Sequence, residues 1–224
     1  MSHSVVLSLW IGALATLLSL PFALLVAVPL ARSKKPWATL LQTVVWLPLV
    51  LPPAVTGYLL LSLLGPRRPL GSALRALGIT VAFDRAGAVV AAAVVGFPLL
   101  VMFIVLALRS IDPRLEIVSR SCGRGPVFTL LRVTLPLAWP GILAGAVLSF
   151  ARALGEFGAT IVLAGLIPGR TDTISLAIYD LLAQPRREGE ITKLVLASVG
   201  IAIASVALAQ ALDRRHRRRL EMER

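Results

Sequence analysis

Two residues of opposite charge lie within an otherwise apolar part of the chain. Arg152 and Glu156 are four positions apart, so in a helix they share one face and can form an ion pair. Ionisable groups at membrane depth are costly and mark functional sites. We predict that Arg152, Glu156, Gly158 and Thr160 line or gate a path through the protein. An internal salt bridge that fixes helix packing is the alternative explanation of the pair.

The sequence contains no group of residues typical of catalysis or of a metal site. The two histidines, His3 and His216, lie near opposite ends, and Cys122 is the single cysteine, so an intramolecular disulfide is excluded. No glycine-rich phosphate loop of the Walker type occurs. We therefore predict no catalytic residue, no metal ligand and no cofactor in this chain, which argues against a membrane-embedded enzyme.

The composition indicates a membrane protein. Of the 224 residues, 57% are hydrophobic and 15% charged, and the mean hydropathy is +0.86, whereas soluble domains carry roughly 25% charged residues. A helix needs about 20 apolar residues to cross a bilayer. Five segments without any Asp, Glu, Lys or Arg meet that need: 5–31, 38–64, 86–108, 133–151 and 194–212.

These segments predict an all-α protein with about five transmembrane helices in one domain, residues 1–224. The first segment is longer than the core of a signal peptide and no Lys or Arg precedes it, which favours a retained helix. The uncharged segment 157–169 is too short to span a membrane. We expect it to extend the fourth helix or to form a re-entrant segment.

The distribution of Lys and Arg predicts the orientation. With five spans, the loops at 32–35 and 109–132 and the basic tail at 213–224 share one side, which holds 14 of these residues against 8 on the other. Basic loops stay in the cytoplasm, so the N-terminus is predicted outside and the C-terminus inside. Because the basic tail directly follows a span, we expect it to contact anionic lipid headgroups and not nucleic acid.

The polar loop 109–132 has the signals of a short helix with fixed ends. Asp112 followed by Pro113 is typical of an N-cap and a first helical residue, and Gly123 can supply the left-handed turn that ends the helix. A second short helix should begin at Gly125–Pro126 and lead into the next span near Val133. Leu115, Val118 and Cys122 are expected on one side of the first helix.

Glycine and proline shape the neighbouring spans. Gly141 and Gly145 form a G-x-x-x-G pattern that allows another helix to approach closely. We expect Pro136 and Pro140 to kink the fourth span. Pro48, Pro52 and Pro53 should kink the second, and broken helices often border translocation paths.

The loop resembles the cytoplasmic motif of ABC importer permeases, E-A-A-x3-G-x9-I-x-L-P. Gly123 is followed by nine residues and then by Val133, Thr134, Leu135 and Pro136, with Val in place of Ile. The first half of the motif is degenerate, because 117–119 align with E-A-A and Glu116 lies one position early. The resemblance implies a type I importer permease fold in which this loop is a coupling helix. Its predicted ATPase-coupling residues are Asp112, Pro113, Glu116, Val118, Ser119, Arg120, Gly123, Val133, Leu135 and Pro136.

The run ARALGEFGAT at 151–160 is similar to the molybdate branch of these permeases, and less closely to sulfate, thiosulfate and tungstate permeases. The resemblance implies a bacterial inner-membrane machine with a second copy of this chain, two ABC ATPase subunits that bind ATP and Mg, and a periplasmic oxyanion-binding protein. The outer segment 169–190, with Tyr179, Arg170, Arg186 and Arg187, is expected to help dock that protein. A self-contained channel or secondary transporter is the rival class, disfavoured because no clear repeat is present.

Overall fold

The computed structural model describes residues 2–184 and 187–222, with side chains described for residues 3–184 and 187–211. Arg186 and the side chains of the predicted basic tail, 213–224, lie outside the described residues. The helices are α1 (Ser2–Arg32), α2 (Pro36–Val50), α3 (Pro53–Leu64), α4 (Pro69–Ala76), α5 (Arg85–Arg109), α6 (Pro113–Ser121), α7 (Pro126–Thr129), α8 (Leu135–Leu154), α9 (Gly158–Leu163), α10 (Ile174–Leu182) and α11 (Glu188–Met222), with a π-helical segment, Leu130–Thr134, between α7 and α8.

Among the described residues, four helical stretches are long and apolar enough to cross a membrane: α1, α5, Pro126–Leu154 and α11 up to Ala211. The bent pair of α2 and α3 makes a fifth if it counts as one span. The prediction of an all-α protein with about five spans is therefore confirmed.

The core lies between α1, α5 and α8. Leu7 and Ile11 of α1 pack with Ala88 and Ala92 near the start of α5. Leu30, near the end of α1, packs in a second cluster that includes the end of α5. Helices α1 and α5 therefore run in the same direction, as the predicted topology requires. The small side chains in both clusters allow the helix backbones to approach closely.

The second predicted span is broken more sharply than a kink. Helices α2 and α3 meet at an angle of 111° across Leu51 and Pro52. Pro52 and Pro53 have no N–H to continue the hydrogen-bond ladder, and their rings disfavour a helical conformation in the residues before them. Helix α2 packs beside the end of α5, whereas α3 packs beside its first half.

The segment 157–169 does not extend the fourth helix. Helix α8 ends at Leu154, and α9 is a separate helix of six residues. Helix α9 crosses α3 at very short range: a Cβ on Gly57 would lie 2.8 Å from the Ala159 backbone, and one on Gly158 would lie 2.8 Å from the Pro53 Cβ. The second half of the bent span, α3, therefore packs against α9 inside the protein.

The G-x-x-x-G pattern of α8 faces α5. A Cβ on Gly141 would lie 2.5 Å from the Cβ of Ala107, and a Cβ on Gly145 would lie 2.6 Å from the Cβ of Phe103. No side chain fits at either position without moving α5. These glycines thus set the distance between the two central helices.

Candidate functional site: the coupling loop and its attachments

Helix α6 has fixed ends of the kind that the sequence predicts. The Asp112 carboxylate accepts a hydrogen bond of 2.9 Å from the Arg114 N–H, and Pro113 occupies the first turn. At the other end Gly123 has φ +75°, and the Arg124 N–H donates to the Ser119 carbonyl at 3.3 Å. Both ends of the helix therefore satisfy backbone groups that would otherwise face water.

Glu116 holds α6 against two other parts of the chain. Its two carboxylate oxygens accept hydrogen bonds from the two terminal nitrogens of Arg32, at the end of α1. One of them also accepts from the Thr134 hydroxyl, at 2.8 Å. Glu116 is only 7% exposed. A buried carboxylate with paired donors of this kind is a strong directional contact.

The environment lowers the pKa of Glu116 below its ordinary value of 4.5. Hydrogen bonds from Arg32 are the largest cause, and burial, which alone would raise the pKa, is outweighed. The Thr134 hydrogen bond and the charges of Arg32 and Arg120 lower it further. The carboxylate is therefore ionised, and the ion pair complete, at neutral pH.

Two further hydrogen bonds attach the loop. The Ser119 and Thr129 hydroxyls lie 2.9 Å apart and join α6 to α7. Nη2 of Arg109, at the end of α5, donates to the Leu30 carbonyl at 3.1 Å, so α5 is held to the end of α1. The loop is thereby linked to α1, to α5 and, through Thr134, to the segment that leads into α8.

Large apolar side chains are exposed on the loop, beside its exposed arginines. Leu115 is 47% exposed, Ile117 62% and Val118 61%. The other large exposed apolar residues of the loop are Val127, Phe128 and Leu131. Exposed apolar residues on a loop outside the spans are typical of a site of protein interaction, and we call these six residues the apolar loop surface.

The remaining predicted coupling residues lie around this surface. Arg120 is exposed, Val133 and Leu135 are half-buried, and Pro136 is exposed at the start of α8. Their geometry places them on or beside the loop. Their predicted contact with an ATPase stays a prediction.

The π-helical segment between α7 and α8 is a feature that sequence reasoning missed. The Leu135 N–H donates to the Leu130 carbonyl, one residue further back than in an α-helix. Pro136, which follows, has no N–H with which to continue an α-helical ladder. A π turn inside a helix is rare and is frequent at functional sites.

The pair in the apolar segment forms, and Glu156 also caps a helix. Arg152 Nη1 lies 2.8 Å from Glu156 Oε2, and Oε1 accepts from the Ala159 N–H, at 2.8 Å. Glu156 and Thr160 are each 2% exposed and lie inside the protein. These contacts of Glu156 are those expected of an internal salt bridge that fixes helix packing. The predicted role of these residues and of Gly158 in a path or gate stays a prediction.

Sequence reasoning also missed the roles of Arg32 and Thr134. Arg32 contributed only to the orientation count, because it lies 84 positions from Glu116 and no local pattern links them. Thr134 occupies a variable position of the family motif. The one available signal was the isolated acidic residue at 116 in a loop rich in arginine.

Comparison with known proteins assigns residues 19–220 to the family described as "Binding-protein-dependent transport system inner membrane component". The chain is 46% identical to the molybdenum transport system permease protein ModB of Escherichia coli K12, with 97% of this chain and 95% of that protein aligned. It is 42% identical to ModB of Haemophilus influenzae, over 96% and 94% of the two chains.

Two solved structures have the same fold at low identity. A bacterial alginate ABC transporter in complex with a periplasmic protein aligns with a TM-score of 0.69 and 20% identity, covering 96% of this chain and 78% of that one. An inward-facing MetNI methionine ABC transporter aligns with a TM-score of 0.66 and 18% identity, covering 97% and 96%. These likenesses confirm the importer permease fold predicted from the sequence.

Proposed function

The chain belongs to the family of binding-protein-dependent transport system inner membrane components, and from that membership we propose that it forms the translocation path of an ATP-driven importer for an oxyanion, molybdate. It is a multi-pass protein of the inner membrane and the permease subunit of an ABC transporter. We propose its energy source, its partners and its substrate.

The arrangement around α6 is the observation that carries the proposal. The apolar loop surface is exposed, while Glu116 on the same helix is buried and bonded to Arg32 and Thr134. A rigid helix with exposed apolar residues suits a cleft on a partner protein, and its buried side passes a push from that partner to α1 and α8. A flexible polar loop would absorb the push.

The proposed machine contains two copies of this chain, two ABC ATPase subunits and a periplasmic binding protein. ATP and Mg are bound by the ATPase subunits, and this chain supplies no catalytic group. When ATP draws the ATPase subunits together, they carry the two α6 helices with them. The spans then rock from an inward-facing to an outward-facing state, and the oxyanion released by the binding protein enters between them.

The substrate rests on the two ModB relatives, which are similar to this chain over nearly its full length. Sulfate, thiosulfate and tungstate are the alternatives of the same chemical class. Selection among these anions is assigned to the binding protein, since tetrahedral oxyanions present similar oxygens to the permease.

The test is reconstitution. The permease, co-expressed with its ATPase subunit, is placed in proteoliposomes with the binding protein and ATP. We expect molybdate uptake that needs all components and that is lost with a hydrolysis-deficient ATPase. The purified permease alone should have no ATPase activity. Uptake by the permease without an ATPase would refute the importer mechanism, and a preference for sulfate would refute only the substrate.

A further inference from the structure

A basic cavity opens on the side of the protein opposite the coupling loop. It lies between α3, α4 and the start of α5, has a volume of about 610 Å³, and is lined by Arg67, Arg68 and Arg75 together with Tyr58, Ser62 and Phe83. We call it the outer basic cavity. Ligand sites typically have volumes of about 300–1,000 Å³, so it is large enough for a small anion or a lipid headgroup.

The backbone around the outer basic cavity is tightly constrained. Helix α4 folds back on the end of α3, where a Cβ on Gly71 would lie 2.0 Å from the Gly65 carbonyl oxygen. Phe83 has φ +60°, a left-handed conformation that is uncommon for an aromatic residue. Its N–H donates to the Leu163 carbonyl of α9 at 3.0 Å. These contacts bring arginines from both ends of α4 to one cavity.

The cavity arginines differ from the other described outer arginines in that their side chains make no hydrogen bond or ion pair with another described residue. Arg170 pairs with Asp84 at 3.1 Å, and Arg187 pairs with Glu190 at 2.8 Å. Arg85 donates to the carbonyls of 169 and 170. Within the described residues no carboxylate lines the cavity or bonds to its three arginines. The three arginines are exposed, and their combined positive charge attracts an anion to the cavity.

We propose that the outer basic cavity binds a tetrahedral oxyanion group through Arg67, Arg68 and Arg75. Guanidinium groups form paired hydrogen bonds to phosphate-like oxygens, which an ammonium group cannot match. Tyr58, which also lines the cavity, has a hydroxyl that can donate, and Ser62 can accept from a protonated oxygen while donating to the Leu59 carbonyl. Two sources share this chemistry: the phosphate of an outer-leaflet anionic phospholipid, and the free oxyanion, a source that rests on the proposed function.

Chemical protection of the arginines tests the site directly. The permease–ATPase complex is placed in phosphatidylcholine nanodiscs in a buffer free of phosphate and sulfate, and phenylglyoxal modification of each arginine is followed by mass spectrometry. One arm adds molybdate. The other replaces part of the lipid with phosphatidylglycerol and adds no oxyanion. We expect modification of the three cavity arginines to slow by at least about fivefold in one arm or both, because an anion at about four times its Kd occupies about 80% of the sites. Arg187 is the internal control and should not change.

Variants make the assignment specific. Arg75→Gln should raise the anion concentration that half-protects Arg67 and Arg68 by about tenfold. The charge-matched Lys193→Gln, on the same side but outside the cavity, should not raise it. Protection with molybdate identifies the free oxyanion as the source, and protection with phosphatidylglycerol identifies the lipid.

Absence of protection in both arms would overturn the proposal, as would protection that appears only when the binding protein is added, since that would identify a protein docking surface. The assay requires no transport. Its failure would therefore leave the proposed import function standing, and failure of the reconstituted uptake would leave the site standing as a lipid phosphate site.

Discussion

Removing the Glu116 carboxylate should loosen the coupling loop by about 2 kcal/mol. In Glu116→Ala the Thr134 hydroxyl, on a residue only 1% exposed, loses its acceptor, which costs roughly 1 kcal/mol. The Arg32 side chain is 39% exposed, so water recovers most of its lost interaction and we assign about 1 kcal/mol to it rather than the 3–5 kcal/mol of a fully buried pair. The two contributions together, about 2 kcal/mol, correspond to about a 30-fold rise in the fraction of molecules in which α6 is locally unfolded.

Hydrogen–deuterium exchange of the purified permease–ATPase complex measures this change. The hydrogen-bonded amides of α6 should exchange about 30-fold faster in Glu116→Ala, while α5 is unaffected. Arg114→Ala, at an exposed position of the same helix, is the control. The double variant Arg32→Ala/Glu116→Ala should exchange no faster than Glu116→Ala alone, because the two residues act through one contact. Exchange within threefold of the wild type, or additive effects in the double variant, would refute the reasoning.

The other predictions concern pH and three glycines. Because the folded-state pKa of Glu116 is lowered from 4.5, its ion pair stabilises the protein above that pH, and the stabilisation is lost as the pH falls through the folded-state pKa. The wild type should therefore have a higher Tm than Glu116→Gln at neutral pH but not in acid. A Tm difference that does not change with pH would contradict the pairing. Gly123→Val should abolish uptake, because a β-branched residue is strained at φ +75°, whereas Gly125→Ala, in open space at φ −68°, should transport normally; normal uptake by Gly123→Val at normal expression would argue against the coupling assignment. Gly141→Val places a side chain where even a Cβ would lie 2.5 Å from that of Ala107, so it should lower the Tm of the complex by several degrees, and an unchanged Tm would show that α5 and α8 can separate at little cost.

Local chemistry explains what could be predicted from the sequence. The ends of α6 depend on Asp112, Pro113 and Gly123, whose effects reach only a few positions along the chain. The number of spans depends on the lengths of apolar runs, which are equally local. The G-x-x-x-G pattern of α8 predicted a close helix contact, and the partner, α5, became known only from the structure.

Contacts between distant residues explain what could not be predicted. The Arg32–Glu116 pair joins positions 84 residues apart, and a single sequence contains no signal for it. The prolines at 52 and 53 predicted a kink, but the 111° bend also depends on how α3 packs against α9. The second bond of Glu156, to the N–H of Ala159, requires α8 to end at Leu154 and α9 to begin at Gly158, and the sequence did not indicate the position of this break.

The π-helical segment relates the residue spacing of the family motif to the direction in which the loop points. Each residue of an α-helix advances the chain by about 100° around the axis. The π turn at 130–134 contains one residue more than an α turn, so it absorbs that residue and keeps α7 and α8 at nearly the rotation of a continuous α-helix. Deleting one residue there would remove the π turn and leave Phe128 facing nearly the same way. Deleting a second residue would turn Phe128 and the entry to α6 by about 100° and would move Thr134 away from Glu116. The number of residues between Gly123 and Pro136, together with the π turn, thus sets the direction in which the apolar loop surface points, in addition to its distance from the membrane.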